Sequence, residues 1–61
     1  MQWFVKVKGF GSTTVSFPVR SDWAIARAAW LKLGIPVGSI MEDGTRITST
    51  WLFTQTSIRK A

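Results

Sequence analysis

The 61-residue chain carries eight Lys and Arg against three acidic residues, for a formal net charge of +5, and contains neither Cys nor His. That composition excludes disulfides and thiolate or imidazole metal sites and leaves Asp22, Glu42 and Asp43 as the only carboxylates, so no metal or other cofactor is expected. A single domain of this size buries only about 60% of its unfolded surface, so its four Trp and four Phe are needed as core volume.

Residues 2–8 alternate strictly and predict a strand, with Trp3, Val5 and Val7 facing a core and Gln2, Phe4, Lys6 and Lys8 facing away. Gly9, Gly11 and Ser12 supply hairpin-loop positions. Phe10, set between the two glycines, is expected at an exposed loop tip where a ligand or a second copy could meet it. Residues 13–20 alternate again: Val15, Phe17 and Val19 inward, Thr14, Ser16, Pro18 and Arg20 outward. Pro18 cannot donate a ladder hydrogen bond, which predicts an edge strand or a bulge.

Ser21 and Asp22 open a helix over DWAIARAAWLKL, the Ser hydroxyl as cap and the Asp carboxylate at the positive end of the dipole. Gly34 supplies the stop, Ile35 a Schellman contact, and Pro36 follows. Ile25, Ala26, Ala29, Trp30, Leu33 and Trp23 fall on one arc, the face expected against the sheet. Trp23, Arg27 and Trp30 also share one edge of the helix. That edge reads either as core filling or as a partner-binding strip with a cation between two rings.

Beyond Gly38, Asp43-Gly44 signals a two-residue hairpin pairing Glu42 with Thr45, Met41 with Arg46 and Ile40 with Ile47. The tail STWLFTQTSIRK is rich in Thr, aromatic and β-branched residues and reads as strand, continuing the previous one or folding back near Ser49. The expected fold is one α+β domain over residues 1–61: ββα followed by two or three strands, one small sheet with a single helix on one face.

MQWFVKV, TVSFPVRSDWAIARAA with LGIPVGSI, and EDGTRI, in that order, resemble the ubiquitin-like β-grasp over about half of the chain. The ββα opening is also similar to that of short phage and plasmid proteins. The resemblance implies a sheet wrapped on one helix. The end IRKA lacks the Gly-Gly tail of ubiquitin, and no ubiquitin recognition patch maps onto this sequence, so no function carries over.

No apolar stretch approaches the roughly 18 residues of a membrane span, and no basic-then-apolar leader is visible, so the expected location is the cytoplasm with no membrane partner. An enzyme is not expected. No His can activate a Ser or Thr, no G-x-S-x-G elbow occurs, and Gly9-Phe10-Gly11 lies between strands instead of before a helix. A sheet covered by a helix on one side leaves Phe4, Lys6 and Lys8 on its open face, with Arg20 expected beside them. An aromatic ring among cations suits non-sequence-specific binding of single-stranded DNA or RNA, with Phe10 as a further contact. The alternative is a protein-interaction module or small homo-oligomer, a homodimer above all, that pairs an edge strand or buries the open face with Phe4 against Trp51 or Phe53. The net charge ranks nucleic acid first.

Overall fold

The period-two pattern of QWFVKV puts three apolar side chains on one side of β1 (Gln2–Val7), and all three are buried. In a computed structural model, which describes residues 1–61, this strand is the centre of a three-stranded antiparallel sheet. On one side it pairs with β2 (Gly11–Ser16), with Trp3 opposite Val15 and Val5 opposite Thr13. On the other it pairs with β3 (Thr56–Lys60), with Val5 opposite Ile58. The β1–β2 hairpin turns through Lys8, Gly9 and Phe10, so β2 begins two residues earlier than the alternation predicts. β2 is an edge strand, one of the two arrangements expected from Pro18. Its last ladder bond runs from the Phe17 N–H to the Met1 carbonyl, and the chain leaves the sheet at Pro18. Val19, expected inward, is therefore 59% exposed.

Helix α1 (Asp22–Leu33) crosses the inner face and buries Ile25, Ala26, Ala29 and Trp30, four members of the expected arc. Of the other two, Leu33 is partly buried against the core and Trp23 is 45% exposed. The end of the helix is the one its residues dictate. Gly34 sits at φ 72°, the left-handed conformation that glycine adopts without a Cβ penalty. Its N–H donates to Leu31 O and the Ile35 N–H to Trp30 O, which is the Schellman arrangement with Ile35 buried beneath it. The start differs. Ser21 has the extended cap backbone, but its hydroxyl makes no cap bond, and Asp22 instead pairs with Arg20 at 2.9 Å.

The Asp43-Gly44 turn forms with a register one residue off the expected one. Gly44 donates to Met41 O, Met41 donates to Thr45 O, and Ile40 bridges to Arg46 instead of Ile47. The shift turns Ile47 into the core, where it is buried and exchanges bonds with Gly38 and Ser39. No paired strands extend from this turn. The segment STWLFT, expected as strand, is a second helix, α2 (Ser49–Thr54). Thr48 caps it by accepting from the Trp51 N–H at 3.0 Å, and Leu52 enters the core fully buried. Only Thr56–Lys60 of the tail joins the sheet.

One side chain ties these pieces together. Thr56 Oγ1 accepts from Trp30 Nε1 at 3.1 Å and donates to Leu52 O at 2.6 Å, joining α1, α2 and β3. No buried side-chain nitrogen or oxygen is left without a partner, as a low-dielectric interior demands.

Candidate nucleic-acid interface

Residues directly opposite one another on neighbouring strands project to the same face, so the register defines the open side of the sheet. Phe4 lies between Thr14 on β2 and Arg59 on β3, and Lys6 lies between Ser12 and Ser57. Lys8, one residue past β1, still pairs its N–H with Gln55 O and continues the same alternation. The open face therefore carries a row Thr14–Phe4–Arg59, a row Ser12–Lys6–Ser57, and Lys8 at the hairpin end.

The Arg59 guanidinium carbon lies 4.8 Å from the centroid of the Phe4 ring, a cation–π contact that keeps this charge on the sheet surface. Phe4 is half-buried and does not cluster with Trp51 or Phe53, which pair with Phe10 and Trp23 respectively. Phe4, Lys6, Ser12, Ser57, Ile58 and Arg59 line a cavity of about 470 Å³. None of the three carboxylates is on the sheet: Asp22 opens α1, and Glu42 and Asp43 sit in the turn after it. Lys6, Lys8 and Arg59 have no ion-pair partner, since the only salt bridge in the molecule is Arg20–Asp22. The face is thus uniformly positive, with one aromatic ring.

Two residues expected here are elsewhere. Arg20 follows the chain away from β2 after Pro18 and lies 5.7 Å over the ring of Trp3, on the covered side of the sheet. It also donates to Ile58 O at 3.3 Å and to Asp22, so its charge is engaged internally. Phe10 is not an exposed loop tip. It is half-buried, packs on the core, and meets Trp51 edge-on at 6.4 Å. Arg59, which the alternation of the tail did not single out, takes the place foreseen for Arg20.

The helix strip is divided in a similar way. Trp30 is 3% exposed and belongs to the core. Trp23 stands edge-on to it at 5.8 Å and tilted against Phe53 at 5.3 Å. Trp23, Ala24, Arg27, Ala28, Leu31 and Val37 flank a groove of about 590 Å³ on the outer side of α1, in which Leu31 is 85% exposed.

The sheet edges carry cations as well. Lys32 Nζ donates to Thr14 O at 2.6 Å on β2, as Arg20 does to Ile58 O on β3. The register directs both carbonyls away from β1, so each cation covers an acceptor that an added strand would need. The Asp43 carboxyl is held below its ordinary value by hydrogen bonds from Thr45, the backbone N–H at 2.9 Å foremost. No helix is long and apolar enough to cross a membrane. Comparison with protein-family models, with curated proteins and with solved structures finds no match to this chain.

Proposed function

We propose that this protein is a small basic accessory protein that binds single-stranded DNA or RNA without sequence specificity, through the open face of its sheet and with no enzymatic step. The observation that carries the reading is the set Phe4, Lys6, Lys8 and Arg59: one ring and three unpaired cations on a face without carboxylates. Cations neutralise phosphates irrespective of sequence, and an aromatic or guanidinium platform accepts any base, with stacking worth about 1–3 kcal/mol. The test is a fluorescence-anisotropy titration of a labelled oligothymidylate at roughly 50 mM salt, where a dissociation constant in the range of about 1–100 μM is expected. Absence of binding at about 100 μM protein overturns the reading.

A second reading, a protein-interaction module or homodimer, is favoured by the groove on α1. A Leu 85% exposed beside Trp23, Ala24, Ala28 and Val37 makes an apolar surface that a second protein surface could cover. The cations on both sheet edges make strand addition the weaker route to such an assembly.

A further inference from the structure

We infer that the open face is divided into a phosphate seat, Ser12–Lys6–Ser57, and a base platform, Phe4–Arg59, which together recognise one nucleotide unit of a single strand. The inference rests on the single-strand reading above and says how that face holds its ligand.

The phosphate seat follows from the register. Lys6 is on the central strand with Ser12 directly opposite on one side and Ser57 directly opposite on the other. Directly opposite Cβ atoms stand about 4.5–5.5 Å apart, so the Lys6 stem rises between two serine hydroxyls, and its flexible ammonium can close over a group that both hydroxyls reach. All three residues are exposed, and none of the three side chains makes a hydrogen bond or ion pair within the protein. One cation with a neutral donor on either side suits a tetrahedral oxyanion, which offers acceptor oxygens in several directions. Ser12 and Ser57 are exposed and their hydroxyls bond to nothing within the protein, so the sheet itself gains little from a hydroxyl on both flanks of Lys6.

The base platform is one step along β1. Phe4 and Lys6 are two residues apart on the same face, a separation of about 6.8 Å. A nucleotide places its phosphate and its base on opposite sides of one sugar, and a ligand seated on Lys6 can lay its base on the Phe4–Arg59 pair. The cavity of about 470 Å³ is lined by both rows at once, so the two subsites are continuous. Its size lies within the roughly 300–1,000 Å³ of small-ligand sites. Lys8 continues the positive track toward the hairpin, which suits a strand running along β1 better than an isolated phosphorylated side chain.

The test has two arms. In the first, Ser12→Ala with Ser57→Ala is titrated against oligothymidylate beside the unaltered protein. Loss of two neutral donors is expected to weaken binding about tenfold while the dependence on salt stays the same, because no charge is removed. Binding by the unaltered protein with no loss in the double variant overturns the phosphate seat and leaves the single-strand reading intact. No binding by either protein overturns both. In the second arm, amide chemical shifts are followed with thymidine monophosphate and with thymidine. The nucleotide is expected to move Ser12, Lys6 and Ser57 together with Phe4 and Arg59, whereas the nucleoside moves only the latter pair. Equal shifts from both ligands, or a phosphotyrosine peptide that binds as well as an oligonucleotide of equal charge, overturn the assignment.

Discussion

The three unpaired cations of the open face set a measurable number. For single strands the logarithm of the binding constant falls with the logarithm of salt with a slope of about −0.7 per neutralised phosphate. With Lys6 and Lys8 each meeting one phosphate, and Arg59 meeting a third through the N–H edge of the guanidinium whose face belongs to the base platform, the slope is about −2.1, an affinity loss of roughly 18-fold between about 50 and 200 mM salt. Gln at any one of the three is expected to reduce the slope to about −1.4, a loss of roughly sevenfold over the same range, and Gln at all three to flatten it nearly completely. Gln keeps part of the aliphatic stem and removes the charge, so the buried side of the sheet is not altered. Arg20→Gln is the control. Its guanidinium is engaged with Asp22 and Ile58 O on the covered side, so the slope is expected to stay unchanged even if stability falls. The assay is anisotropy at four or more salt concentrations, with circular dichroism to verify that each variant is folded. A triple variant that keeps the full slope, or an Arg20→Gln variant that loses as much as Lys6→Gln, refutes this assignment of the interface.

Thr56→Val leaves Trp30 Nε1 without its acceptor and Leu52 O without its hydroxyl donor. At about 1–3 kcal/mol in total for these part-buried groups the thermal midpoint is expected to drop by roughly 10 °C, and a midpoint within about 2 °C of the unaltered protein counts against the junction. Asp43 has a folded-state pKa depressed below 3.8, so the stability it contributes is present above that value and is lost as pH falls through the folded pKa. The stability difference between the unaltered protein and Asp43→Asn is therefore expected to change on acidification below the ordinary carboxyl range and to be constant above it. A difference that is constant throughout the acid range refutes that role for the Thr45 bonds. If the α1 groove closes a homodimer, light scattering at millimolar concentration gives about twice 6.8 kDa for the unaltered chain, and Leu31→Glu returns it to 6.8 kDa. A mass of 6.8 kDa for both removes the homodimer reading.

Elements whose signals are local were legible from the residues. α1 runs from Asp22 to Leu33 as read, because Ala-rich propensity, an apolar arc and the Gly34–Ile35 stop all lie within the helix or beside it. β1 was equally plain. α2 was not, although Thr48 is a good cap residue, because a six-residue helix is too short to display a period and its Trp, Phe and Thr favour strands. Its helical state depends on tertiary packing, namely the burial of Leu52 in the core, and on the Thr56 hydroxyl four residues on, which is held by Trp30 of α1 and takes up the Leu52 carbonyl. The Asp43-Gly44 turn is legible in the sequence and its register is not, since burial of Ile47 shifts the pairing by one residue.

The candidate site divides along the same line. Phe4, Lys6 and Lys8 were placed correctly because they alternate with buried residues on a strand paired from both sides. Arg20 was misplaced because the alternation was carried two residues past Pro18, where β2 has already ended and a side chain's direction no longer follows from parity. Arg59 was passed over for the converse reason. Its facing depends on where β3 begins, and the interruption by α2 hides that point. The face itself exists only once three segments are in register: Lys6 is six positions from Ser12 and fifty-one from Ser57, and no window along the chain contains all three. Single residues on a strand can be read from parity. A row across strands is a product of long-range pairing, which is why the cations were visible in the sequence and the two hydroxyls beside Lys6 were not.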